Sequence, residues 1–124
     1  MVYNGKAVSL NDFYSQGKFY KRHEIKKKYK AIFVPMIEDC GMEPIEKYIL
    51  TCYYNSRHDV SNVVGMVKMF EDTLAGDKNR RMGSDYYESK RYIPDDSKYY
   101  CKGIQIYPDL DLPNNCFKFI IEEQ

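Results

Sequence analysis

The sequence predicts an α/β (α+β) fold: one small mixed sheet with two main helices packed on it, in a single domain spanning residues 1–124. Three observations lead there. Residues 46–55 alternate Lys47, Ile49, Thr51 and Tyr53 with Tyr48, Leu50, Cys52 and Tyr54, so bulky side chains fall on both faces, as in an interior strand. Residues 60–75 repeat Val63, Val67, Phe70 and Leu74 at helical spacing. Along the chain the segments read β, α, β, α, β, β, an order that packs helices on a sheet. A length of 124 residues suits one domain.

Residues 1–9 read as a short strand or hairpin, with Asn4-Gly5 as the turn signal. Residues 9–20 mix polar and aromatic side chains and read as loop. A helix over about 22–39 follows from the spacing of Ile25, Tyr29, Ile32, Phe33 and Met36. Pro35 lies inside that pattern and predicts a kink or an early stop near Val34, and Cys40-Gly41 closes the segment. After the interior strand, Asp59 or Ser61 caps the second helix and Gly76 ends it. Residues 77–92 are polar and irregular, a long connection for so small a domain. Strands over 99–107 and 115–122 complete the set, joined by a turn rich in Pro, Asp and Asn from Pro108 to Asn115.

Composition narrows the classes of function. Plentiful aromatics argue against disorder. No apolar run approaches the roughly 20 residues needed to cross a bilayer, so a membrane protein is not expected. The N-terminus carries no signal-peptide pattern, which makes the cytoplasm the default location. Cys40, Cys52, Cys101 and Cys116 show no Cys-x-x-Cys spacing, which speaks against zinc, and in a reducing compartment they are free thiols. Net charge is only +1, yet it is unevenly spread. Lys18, Lys21, Arg22, Lys26, Lys27, Lys28 and Lys30 face only Glu24, whereas Asp109, Asp111, Glu122 and Glu123 make the C-terminal end acidic. That asymmetry points to an anionic partner on the N-terminal side. With Phe13, Tyr14, Phe19 and Tyr20 close by, the basic segment suits phosphate contacts and base stacking. A solvated helix face is the plainer account of the same lysines.

Two acidic clusters flank the second helix: Asp59 at its start, and Asp95-Asp96 beyond its end. Asp59 stands where a strand gives way to a helix, a junction at which sites often form. If the strand after Asp96 lies beside the 46–55 strand, these carboxylates can converge on a hard divalent cation such as Mg²⁺. Adjacent carboxylates also repel unless a cation or a lysine compensates. The plainer readings are an N-cap at Asp59 and a turn after Pro94. Asp72 lies about 18 Å along the helix from its start, too far to share a metal with Asp59 in one subunit. Its partner at four-residue spacing is Lys68, which is placed either to pair with Asp72 or to reach back and bind a phosphate.

The ordered set of these motifs resembles the RusA-like Holliday-junction resolvases, small phage and prophage endodeoxyribonucleases. Ser9-Leu10-Asn11 corresponds to the early Asn element, and residues 18–30 to the basic segment. Asp59-Val60-Ser61-Asn62 corresponds to Asp-x-Asp-Asn. Lys68, Asp72-Thr73-Leu74 and Ile93-Pro94-Asp95-Asp96 follow in order, then Lys98-Tyr99. The resemblance covers most of the chain. It implies a homodimer that cuts four-way junctions or other branched DNA with Mg²⁺, Mn²⁺ substituting, in the host-cell cytoplasm if phage-encoded. It also implies metal ligation by Asp59, Asp95 and Asp96, and catalytic roles for Asp59, Asp96 and Lys68. DNA contacts would come from Asn11, Lys18, Lys21, Arg22, Lys26, Lys27 and Asn62. Two departures stand out. Ser61 replaces a carboxylate with a neutral hydroxyl, and residues 77–92 are longer than the family's short Gly-containing connection, with Asp85 or Glu88 available to replace the lost acid. The alternatives are a weakened relative that binds branched DNA without cutting, and a phage protein–protein interaction module.

Overall fold

The computed structural model describes residues 1–5, 19–76 and 90–124, and only the backbone of residues 19–23. Among the described residues, six elements follow in chain order: β1 (Val2–Asn4), α1 (Phe19–Cys40), β2 (Tyr48–Asn55), α2 (Val60–Ala75), β3 (Cys101–Pro108) and β4 (Cys116–Glu123). The four strands form one mixed sheet in the order β1-β4-β2-β3. β4 runs antiparallel to both β1 and β2, whereas β3 runs parallel to β2. The expected small α+β architecture with two main helices is therefore present, and β2 is the interior strand that its two-faced pattern implied. β1 is the short strand expected at the start of the chain and pairs with β4, from the far end of the sequence, whereas residues 6–9 lie outside the described residues.

Alternation along the strands builds the core. Tyr48, Leu50, Cys52 and Tyr54 of β2 are buried together with Phe117 and Phe119 of β4. From α1 come Tyr29, Phe33 and Ile37, and from α2 Val63, Met66, Val67, Phe70 and Leu74. Phe70 stacks on Phe119 with ring centroids 4.1 Å apart, and Phe33 meets both edge-on at 5.5 and 5.7 Å. Burying each such side chain contributes about 1.5–3 kcal/mol, which makes this aromatic triad the joint between both helices and the sheet.

α1 runs unbroken for 22 residues through Pro35, so the early stop expected near Val34 does not occur. Pro35 withholds the N–H that would bond the carbonyl of Ala31, but both residues lie on the exposed face, where water can hydrate that carbonyl. Phe33 and Ile37, fully buried on either side, hold the helix to its course. Gly41, at φ 69°, then takes the left-handed conformation that terminates it. α2 has the expected bounds. Asp59 occupies its N-cap position, but its side chain makes no capping bond; its carbonyl accepts from the Asn62 N–H at 2.9 Å instead.

The tail of the long connection is docked. Tyr92 N–H donates to the Leu74 carbonyl at 2.8 Å, the Tyr92 carbonyl accepts from Ile45 N–H at 2.8 Å, and Tyr92 and Ile93 are buried. The rest of that connection, with Asp85 and Glu88, lies outside the described residues. Among the described residues no helix is long and apolar enough to cross a membrane.

Candidate functional site

A groove of about 520 Å³ opens between α1 and the C-terminal half of α2, closed at one end by the turn before β3. Its lining has two characters. α1 contributes Lys26, Lys27 and Lys30, whose spacing puts them on neighbouring turns of one side. α2 contributes Asp72, and the turn contributes Asp95 and Asp96.

Lys68 ties the acidic wall together. Its ammonium donates to Asp96 Oδ2, and lies 3.4 Å from Glu71 Oε1 and 3.6 Å from Asp72 Oδ1. These carboxylates stand at the third and fourth positions after Lys68 on α2, the spacing that brings helical side chains together. The turn carrying Asp95 and Asp96 is held on three sides. Arg91 donates through Nε to the Ala75 carbonyl at 3.1 Å and through Nη2 to the Pro94 carbonyl, tying the end of α2 to the turn. Asp96 N–H donates to Asp95 Oδ1 at 2.8 Å, so Asp95 also serves the turn, as its plainer reading held. The Tyr48 hydroxyl approaches the Asp95 carbonyl at 3.5 Å.

Proton affinities follow from these contacts. Burial works to lower the Lys68 ammonium, but hydrogen bonding to Asp96 and the charges of Asp72, Glu71 and Asp96 outweigh it and hold it well above the usual lysine value. The bond from Lys68 pulls the Asp96 carboxyl below its ordinary value against the effect of burial. Burial dominates at Asp72 and raises its carboxyl despite the opposing charges of Lys68 and Lys26.

The structure does not bring Asp59 to Asp95 and Asp96. β2 and β3 are parallel, so Asp59, just past the end of β2, and the doublet before the start of β3 belong to opposite ends of the sheet. Eight residues of strand separate those ends by about 26 Å. Lys68, which holds Asp96, lies nine residues beyond Asp59, about 13 Å along the helix, and its ammonium reaches onward to Glu71 and Asp72. The ligand set of Asp59, Asp95 and Asp96 is thus not assembled within one chain. Asn62 and exposed Ser61 sit in the first turn of α2, with Asp59. Lys26 and Lys27 do line the groove. Asn11 and Lys18 lie outside the described residues, as do the side chains of Lys21 and Arg22.

Lys30, part of the basic segment read in sequence, extends the face of Lys26 and Lys27 by one turn. Two groups at the site were missed in sequence, Glu71 and Arg91. Glu71 lies four residues after Val67, itself four after Val63, so it continues the buried stripe with a carboxylate; that spacing was the available signal. Arg91 gave no signal of its own.

Among the described residues, no three Asp, Glu, His or Cys side chains converge as a ready ligand set. Mg²⁺ needs only one or two carboxylates, with waters and phosphate oxygens completing its shell. Asp72 and Asp96, both drawn to Lys68 at the edge of the groove, supply that donor chemistry. Asp59, expected in sequence to hold a cation, lies away from this groove, and Asp72 and Asp96 border it, each paired with Lys68. Comparison with known protein families, curated proteins and solved structures returned no match. The RusA-like resemblance accordingly rests on the order of the motifs.

Proposed function

We propose that the chain is a Mg²⁺-dependent, RusA-like endodeoxyribonuclease of branched DNA, acting as a homodimer, with the groove between α1 and α2 as its active site. One observation carries this reading: lysines and carboxylates face each other across a single groove, the pairing that a phosphodiester and its metal both require. The sequence expectation hinged on Asp59 meeting Asp95-Asp96. With Asp59 displaced, the reading depends on Asp72 and Asp96 instead.

Lys26, Lys27 and Lys30 attract and orient the phosphate backbone. Asp72 and Asp96 would hold Mg²⁺, which when bound stabilises charge on the phosphate and lowers the pKa of water. Lys68, whose proton is held tightly by its carboxylate neighbours, is no general base. It acts as a fixed positive charge and hydrogen-bond donor beside the scissile phosphate.

The test is cleavage of a synthetic four-way junction. Wild type cuts with Mg²⁺, Asp96→Asn and Asp72→Asn do not, and Asp59→Asn retains activity. Absence of metal-dependent cutting by the wild type removes the nuclease reading. A second reading, junction binding without cleavage, is favoured by the Lys68 ammonium standing where the carboxylates converge. It predicts binding in EDTA and no cleavage with Mg²⁺.

A further inference from the structure

Glu71 is a carboxylate in the interior that neither the metal nor the DNA reading uses. Its side chain is 2% exposed, whereas Asp72 and Asp96, which share Lys68 with it, are 42% and 34% exposed. A charge so deeply buried persists only when hydrogen bonds and an opposite charge compensate it. Both are present. Oε2 accepts from the Tyr48 hydroxyl at 2.6 Å, and Oε1 faces the Lys68 ammonium at 3.4 Å. Tyr48 is itself fully buried at the start of β2, and the same hydroxyl approaches the Asp95 carbonyl. Of the three carboxylates around Lys68, Glu71 is therefore the one fixed by the core, and the other two face solvent.

We infer that Glu71, clamped by Tyr48, is the positioning residue of this site. It fixes the Lys68 ammonium at the groove edge, while Tyr48 anchors the Glu71 carboxylate to the start of β2. Asp72 and Asp96 are left to exchange their contacts with Lys68 for those with a cation or substrate. The inference rests on the proposed active site for its catalytic consequence, but the geometric claim can be read without any activity.

The test compares wild type, Glu71→Gln and Tyr48→Phe. Gln keeps the shape and can still accept from Tyr48, but it removes the anion facing Lys68. NMR of the lysine ammonium groups reads how fast Lys68 exchanges protons with water. In the wild type the Lys68 signal exchanges more slowly than those of solvent lysines, and Glu71→Gln accelerates it by about tenfold, the loss expected for one charged hydrogen bond. Junction cleavage by folded Glu71→Gln shows kcat lowered about tenfold with KM unchanged, because positioning rather than substrate binding is lost. Should Glu71→Gln fail to fold, Tyr48→Phe is read by the same signal and is expected to accelerate it as well. Unchanged exchange at Lys68 in the folded variant overturns the inference, as does unchanged kcat in an enzyme that cleaves. A wild type that cleaves nothing removes the nuclease reading, and the ammonium exchange still decides the role of Glu71.

Discussion

Lys68 divides its two half-buried partners by proton affinity. Both carboxyls start from an ordinary value of 3.8, but Asp72 is raised chiefly by burial, whereas Asp96 is lowered chiefly by its bond from Lys68. Asp72 thus favours the fold below 3.8, a contribution lost as pH rises through its raised value. Asp96 favours the fold above 3.8, a contribution lost as pH falls through its depressed value. Acidification should therefore protonate Asp72 before Asp96. Carboxyl-carbon NMR checks the order, and Asp96 titrating first would contradict it. The thiols separate in the same way. Burial, with Cys116 beside it, pushes the Cys52 thiol up to about 12, and Cys40 is exposed. Iodoacetamide at neutral pH should alkylate Cys40 in the native protein and reach Cys52 and Cys116 only on unfolding.

Within the elements, the two helices show what a sequence can and cannot reveal. α2 was legible to the residue because its stripe, Val63 to Leu74, and its terminating Gly76 agree. Gly76 adopts φ 80°, and its N–H donates to the Thr73 carbonyl at 3.2 Å, at the point where α2 borders the groove. Gly76→Ala should lower stability by about 1 kcal/mol in a urea melt, the cost of a side chain in that conformation. The end of α1 at Cys40-Gly41 was legible too, but the early stop expected near Val34 does not occur, because proline's local preference was set against anchors that spacing cannot weigh. Phe33 and Ile37 bury the helix on both sides of Pro35. Pro35→Ala should restore the missing bond and raise stability by about 1–3 kcal/mol, seen as a higher Tm. The displaced Asp59 has a different cause. Had β3 run antiparallel to β2, its start would have lain beside the end of β2 and the acids would have met. Strand patterning fixes which residues are buried but carries no label for direction.

For the molecule as a whole, net charge of +1 conceals a groove with one cationic wall. Replacing Lys26, Lys27 and Lys30 together with Gln should weaken junction binding across all sequences and flatten its dependence on salt, the slope of log K against log salt falling by about 0.9 per lost phosphate contact. Fluorescence anisotropy at several salt concentrations measures this, and an unchanged slope would place the DNA elsewhere. The strand order β1-β4-β2-β3 has a consequence of its own. β1 and β2 come from the chain before the long connection, and β3 and β4 from after it. Every seam in the sheet therefore stitches one half of the polypeptide to the other, like interlaced fingers. Neither half can zip up a partial sheet by itself, so the acid-bearing turn and the lysine-bearing helix are delivered to each other only in the single cooperative event that completes the weave.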